Sequence, residues 1–320
     1  MPEALSIVTH VVICISTLHR PEGLARILRS LAAQTMRAHD SIDLRVVVVN
    51  NDPDDPRPTS VAEEIRQATG LAIEVLLEAR RGVAPPRNRG LGRATELAGE
   101  DGLIGFLDDD EETTPEWLAE MLQVKQEYAA QIVTGPVIPR FEAEPPTWVV
   151  EGGFFDKAAH ATGSVRPWAF TNNVIFDAEL PHRLDTWFDE GFLRLSEDRH
   201  FFQRLAGTGA RIVWAADAPV VDYVPPSRTT AGWLVRRMRT VGRCVAPLRR
   251  DIDGPLRAVI ATLAKSPVWM LIGAATMIAG SVGGGKAWRV RGRSWFAYGI
   301  GLSEGVLMSS RAGRPSSDSD

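Results

Sequence analysis

The run Leu103-Ile104-Gly105-Phe106-Leu107-Asp108-Asp109-Asp110 limits what this chain can fold into more than any other segment. Five mostly apolar residues read as a buried strand, and three consecutive carboxylates follow at once. A packed sheet cannot keep three carboxylates inside unless cations pair with them. Hard oxygen ligands so spaced suit Mg²⁺ or Mn²⁺, the ions that accompany phosphate groups. In α/β sheets ligands sit beyond the carboxyl ends of the strands, where this triplet falls. Taken alone, the triplet reads equally well as an acidic surface turn, and the rest of the chain has to decide.

Val11-Val12-Ile13-Cys14-Ile15 is a continuous apolar run, the mark of a strand buried on both faces. Pro21 then opens a helix whose apolar residues, Leu24, Ile27, Leu28 and Leu31, form one stripe. A second apolar run, residues 44–49, ends in Asn50-Asn51-Asp52. Helical patterns over 61–69 and 88–98 bracket a strand over 72–77. This alternation predicts an α/β fold with a mostly parallel central sheet flanked by helices. Thr114-Pro115 then caps a helix carrying Trp117, Leu118, Met121 and Leu122. Residues 136–190, rich in Pro, Gly and Trp, read as loops and short antiparallel strands. A helix over 197–206 follows, with Phe201, Phe202 and Leu205 as its core face, and late strands are expected over 212–215 and 220–224.

A chain of 320 residues with 44% hydrophobic content can bury a sizeable core as one large domain or two. Cys14 and Cys244 are its two cysteines, and Cys14 lies in an apolar strand, so a reducing compartment fits better than a disulfide framework. The histidines show no zinc-type spacing. The N-terminus lacks a basic region followed by an apolar stretch, so no signal peptide is expected. Net charge is −4 overall, yet between Pro226 and Arg293 thirteen Lys and Arg residues face only Asp251 and Asp253. Such segregation suggests an anionic partner for the C-terminal part. No nucleic-acid motif accompanies it and the basic residues flank apolar sequence, so a membrane surface is preferred, contacted through residues 226–308.

Residues 266–285 carry no charge between Lys265 and Lys286, a length sufficient to span a bilayer. Three readings stay open: a transmembrane helix, a helix lying in the interface with help from Trp269, Trp288 and Trp295, or a buried soluble helix. A second apolar stretch, 294–308, could pair with the first as a hairpin. Gly280-Ser281-Val282-Gly283-Gly284-Gly285-Lys286 approaches a phosphate-binding loop, but Ala287 stands where Ser or Thr would hold Mg²⁺. The last segment, 309–320, is polar and expected to be disordered.

Seven short segments follow one another along the chain: Ile15-Ser16-Thr17; Val49-Asn50-Asn51-Asp52; Arg81-Gly82-Val83-Ala84-Pro85-Pro86-Arg87-Asn88; Phe106-Leu107-Asp108-Asp109-Asp110; Thr171-Asn172-Asn173; Ser196-Glu197-Asp198 with Arg204-Leu205; and Arg228 with Trp233 and Arg236-Arg237. Together they resemble the family 2 glycosyltransferases, over about residues 11–242. The resemblance implies the glycosyltransferase-A fold, with a catalytic domain over 1–245 (nucleotide-binding half about 1–112, acceptor half about 113–245). A basic, apolar helical region over 246–308 and the tail 309–320 would follow.

It also implies roles. Thr17, Asn50 and Asp52 would reach the base and ribose of a bound nucleotide. Arg87 resembles the family arginine beside the nucleotide, able to stack on or hydrogen-bond to the base. Asp108, with Asp109, would contact the nucleotide, and Asp110 resembles the direct metal ligand, joined by Asp108 in an Asp-x-Asp pattern. Asp198 resembles the catalytic base. The implied cofactor is Mn²⁺ or Mg²⁺, and the implied donor a nucleotide-diphosphate sugar, expected to be a UDP-sugar. The acceptor would be a hydroxyl of a glycan or lipid-linked glycan at the inner face of the cytoplasmic membrane, in cell-surface or exopolysaccharide synthesis.

Three positions depart from the pattern. Asn50 stands where aspartate is common, which weakens the expected uracil contact. His200 occupies a position that is often acidic. Asp222 replaces a histidine that can serve as a further metal ligand, and its oxygen could do the same for Mg²⁺ or Mn²⁺. Trp148, Phe154, Phe155 and Trp168 could stack on acceptor sugars or belong to the core. Two alternatives remain open on sequence: a nucleotidyltransferase, although no Gly-rich loop follows the first strand, and a non-catalytic glycosyltransferase-like scaffold.

Overall fold

The computed structural model describes residues 8–38, 41–191 and 196–311. Its first half builds the predicted layers. Strands β1 (Thr9–Thr17), β2 (Ile42–Asn50), β3 (Ala72–Leu77) and β4 (Leu103–Asp108) run parallel in the order β3-β2-β1-β4. Helices α1 (Pro21–Ala32), α2 (Arg57–Thr69) and α3 (Ala84–Ala98) connect them. The unbroken apolar runs follow from burial on both faces. Val11, Ile13 and Ile15 pack with Leu24, Ile27 and Leu28 of α1, while Val12 and Cys14 pack with Leu91 and Ala94 of α3. Helix α3 begins at Ala84, four residues before the predicted start, because Pro85 and Pro86 fit its first turn, where no N–H partner is needed. Likewise α2 begins at Arg57 with Pro58 in its first turn.

Beyond β4 the sheet becomes mixed. Strand β9 (Val174–Asp177) pairs antiparallel with both β4 and β6 (Ile132–Thr134); β10 (Ile212–Trp214) lies parallel to β6, and β8 (Val165–Arg166) closes the edge antiparallel to β10. A small second sheet joins β5 (Glu111–Thr113), β11 (Val220–Val224) and β7 (Val137–Phe141) in the order β5-β11-β7. Helices α4 (Trp117–Glu127) and α6 (Glu197–Gly207) cover this half, with Trp117, Phe201, Phe202 and Leu205 fully buried as predicted. Asn173 fastens it: its Oδ1 accepts from Trp117 Nε1 at 2.9 Å, and its Nδ2 donates to the Pro136 and Ala218 carbonyls.

By internal contacts the chain separates into two compact units: residues up to Arg140 with Lys157–Tyr223, and Phe141–Asp156 with Val224 onward. The second contains α5 (Thr147–Glu151), α7 (Ala231–Asp253), α8 (Pro255–Ala279) and α9 (Gly285–Arg311), and α7 runs unbroken through position 245, the expected end of the catalytic domain. Helices α8 and α9 fold back on one another through a π-helical turn, Gly280–Gly284, and Gly285 at φ +72°, so the phosphate-loop look-alike is a hairpin turn. Of the expected tail, residues 309–311 end α9, and the remainder lies outside the described residues.

Candidate active site

The aspartate triplet leaves β4 between two neighbouring segments of the same unit. On one side is the loop after β1. Thr17 Oγ1 donates to Asp109 Oδ2 at 2.8 Å, and Arg20 Nη1 donates to Asp109 Oδ1 and Asp110 Oδ2, each at 2.9 Å. The start of α1 presses so close that a Cβ on Gly23 would stand 2.2 Å from the Asp109 carbonyl oxygen, which excludes any larger residue there. On the other side is β11, whose antiparallel register sets Asp222 opposite Glu111, with Tyr223 N donating to the Asp110 carbonyl.

A third connection comes from α3. Arg87 pairs through Nη1 with Glu197 at the start of α6, and its Nη2 stands 3.5 Å from Asp108 Oδ1. Glu197 is buried, and among the described residues its Oε2 has no hydrogen-bond partner. Arg87 therefore neutralises a buried carboxylate while reaching the strand-end aspartate. This places Asp198, the next residue of α6, near enough to Asp108 for its charge to be felt there. Both loops that flank the site carry a non-glycine residue in the left-handed region, His19 at φ +57° and Ser196 at φ +77°, a costly conformation that tends to gather at functional sites.

The electrostatics are those of an acidic cluster short of positive charge. Burial, then the Asp110, Asp109 and Asp198 carboxylates, push Asp108 up to about 6 against the opposing pull of Arg87. With 42% of that side chain still in contact with water, solvent relieves part of this rise. Burial likewise raises Asp109, opposed by Arg20 and Thr17. Glu111, buried with Asp108, Asp110 and Asp222 around it, is raised well above the carboxylate range, and its Oε2 accepts from Asp108 N at 2.8 Å.

The sequence-predicted nucleotide contacts divide. Asp52 is held down by a 2.5 Å hydrogen bond from His19 Nε2 and by Asp54 N–H. Thr17, Asn50 and Asp109 are buried, with polar atoms used internally: Thr17 and Asp109 on each other, and Asn50 on the Asp55 carbonyl and the Asp52 N–H. These contacts hold the strand-end loops together. Arg87 spends its guanidinium on Asp108 and Glu197. Trp168 lies under the Arg199 guanidinium, 3.9 Å from ring centroid to Cζ. In the other unit Phe155 stacks on Trp233, and Trp148 meets Phe154 edge-on. The sequence assigns no role to Arg20 or Glu111, and gives Glu197 only a place in the Ser196-Glu197-Asp198 segment. Each adjoins a recognised feature, namely Pro21, the triplet and Asp198, and that adjacency was the available signal.

The family model "Glycosyl transferase family 2" matches residues 12–183, which span all of these segments up to β9. The chain belongs to that family. This family 2 glycosyltransferase is also 30% identical over 243 residues to the succinoglycan biosynthesis protein ExoM of Rhizobium meliloti strain 1021, an alignment covering 74% of this chain and 75% of ExoM. Among solved structures it resembles the mannosyltransferase PcManGT from Pyrobaculum calidifontis, in complex with GDP-Man and Mn²⁺, with a TM-score of 0.60 and 19% identity over 97% of this chain and 89% of the other. It also resembles S. aureus TarS 1–349 in complex with UDP, with a TM-score of 0.53 and 18% identity over 96% and 92% of the two chains. It spans 39% of the longer TarS chain. At such identity these neighbours establish the glycosyltransferase-A fold. Family membership makes this protein a glycosyltransferase and sets aside the nucleotidyltransferase alternative.

Proposed function

We propose that this glycosyltransferase moves a sugar, with inversion, from a nucleotide-diphosphate sugar, a UDP-sugar in our reading, to a hydroxyl of a glycan or lipid-linked glycan. The observation that carries the proposal is the Arg87 bridge: one guanidinium reaches both Asp108, at the end of the nucleotide-side strand, and Glu197, beside Asp198. Donor phosphates and acceptor oxygen would then meet between groups that a single side chain holds in register.

Among the described residues no three His, Cys, Asp or Glu side chains stand arranged as a ready-made metal cage. A cation used beside substrate phosphates would ask for less, since Mg²⁺-type ions take one or two carboxylates and complete their shell with phosphate oxygens and water. The donor set fits: Asp108, Asp110 and Asp222 are hard oxygen ligands, and Asp108 is pushed up by burial first and then by neighbouring carboxylates, whose charge a divalent ion would offset. Bound there, Mg²⁺ or Mn²⁺ supplies positive charge for the departing diphosphate.

Asp198 accepts the proton of the acceptor hydroxyl as that oxygen bonds to the anomeric carbon from the side opposite the diphosphate. The sugar–phosphate C–O bond breaks with its electron pair going to the nucleoside diphosphate. Asp109 is held by Thr17 and Arg20, and the same Arg20 Nη1 also holds Asp110 beside it. The likeness to a succinoglycan biosynthesis protein and the basic, apolar stretch 226–308 support an acceptor met at the inner face of the cytoplasmic membrane. The test is Asp198→Asn, scored for UDP release from UDP-sugars with a membrane fraction as acceptor. Transfer falls by about 10²–10⁴ with UDP binding intact; unchanged transfer removes Asp198 as the base.

A further inference from the structure

Helix α8 is built inside out. Its buried positions are Ala258, Thr262, Ser266, Gly273 and Thr276, while Leu256, Ile260, Leu263, Leu271 and Ile278 are exposed. At about 100° per residue the second set shares one face, roughly opposite the first. Water sorts a helix the other way, with Leu and Ile inward. The buried face has no room for them. A Cβ on Gly273 would lie 2.5 Å from Phe296 N, and one on Gly292 2.6 Å from the Gly273 carbonyl oxygen, so α8 and α9 meet backbone to backbone. Ser266 Oγ donates to the Gly299 carbonyl at 2.7 Å across the same seam. Close approach through small residues, with hydroxyl bonds between helices, is how helices pack when lipid covers their outer faces.

Charge placement says how the lipid is met. The exposed apolar face runs from Leu256 through Ile278, about 33 Å at the helical rise, with Arg257 near one end and Lys265 on its flank. The hairpin turn, in contrast, leads directly into Lys286, Arg289, Arg291 and Arg293. Arg291 bonds to the Gly152 carbonyl, and Lys286 stands 5.0 Å from the Trp148 ring centroid, so this end is tied to α5. Four cations at a hairpin tip do not cross hydrocarbon readily. One apolar face bordered by basic residues is instead the pattern of a helix lying along an anionic bilayer.

We infer that α8 lies in the headgroup–acyl boundary of an anionic membrane, its Leu256-to-Ile278 face sunk into the acyl chains, while α9 backs it and the flanking Arg and Lys residues meet lipid phosphates. This rests on the membrane association proposed above and names the face that makes it. Glycosyl transfer is not assumed.

The test uses the full chain and vesicles of phosphatidylcholine containing about one-third phosphatidylglycerol, an anionic surface. Leu263→Gln, Leu271→Gln and Ile278→Gln combined replace exposed residues. They should lower vesicle partitioning at least tenfold, roughly, with the unfolding midpoint unchanged. Leu271→Cys in a Cys244→Ser background, labelled with a polarity-sensitive dye, should shift to the blue on vesicle binding. Wild-type protein that ignores the vesicles removes the membrane association itself. Wild-type binding that the triple variant retains, with no dye shift, overturns the α8 assignment alone. Wild-type self-association without lipid, abolished by the triple variant while vesicle binding persists, gives the face to a second copy of the chain and also overturns it.

Discussion

Asp222 stands directly opposite Glu111 in the antiparallel pairing of β11 with β5. Glu111 follows the aspartate triplet, so a residue more than a hundred positions away along the chain enters the same acidic cluster, where its charge acts on Glu111. If Asp222 supplies an oxygen to a cation held by Asp108 and Asp110, Asp222→Ala should weaken Mn²⁺ binding in the presence of UDP by about tenfold to a hundredfold, the range for removing an outlying metal contact. Electron paramagnetic resonance titration of free Mn²⁺ reads this without any transfer reaction. Equal affinity in the variant makes Asp222 a sheet residue only.

Arg87 is mostly buried and faces the buried Glu197. Breaking a buried pair leaves an uncompensated charge, so Arg87→Met should cost about 3–5 kcal/mol of stability in urea unfolding. Adding Glu197→Met should return most of that loss, because no lone carboxylate then remains. A double variant no more stable than the single one would show that Arg87 acts through Asp108 instead.

Glu304 of α9 takes hydrogen bonds from Arg239 and Arg243 of α7, which hold its carboxyl down at about 2. A carboxyl whose folded value lies below its unfolded one stabilises the fold fully above the unfolded value, and the contribution fades as pH falls toward the folded value. The window is therefore from about 4.3 down to about 2. Glu304→Gln should lower stability by about 1 kcal/mol at neutral pH, since the arginines remain partly solvated. In acid unfolding scans the two proteins should converge near the bottom of that window. A constant gap across it would mean that the effect is packing and not charge.

The layers and the triplet were readable in sequence because both rest on local rules. Unbroken apolar runs mark strands covered on two faces, as Val11–Ile15 and the β2 run prove to be, and charge at a strand end has few structural uses. Partner identity is long-range and was not readable. Nothing local announces that Arg20 would lock Asp109, or that Arg87 would bridge Asp108 and Glu197. Thr17, Asn50 and Asp109 illustrate the same limit: a polar residue at a strand end can serve a ligand or its own loop, and the local sequence does not name the internal partners these three have. In α8 almost every position is apolar or small, so periodicity could not name its outer face. The glycine contacts with α9 do.

The most direct measurement is thermal unfolding of the wild-type protein with UDP, GDP, TDP and ADP, each with and without Mn²⁺. One base, UDP in our reading, should raise the midpoint only when Mn²⁺ is present, by about 2.7 kcal/mol of added stability at a hundredfold excess over the dissociation constant. Asp110→Ala should abolish that rise. A folded protein that responds to no nucleoside diphosphate, or responds equally without Mn²⁺ and in Asp110→Ala, contradicts the proposed donor and metal site.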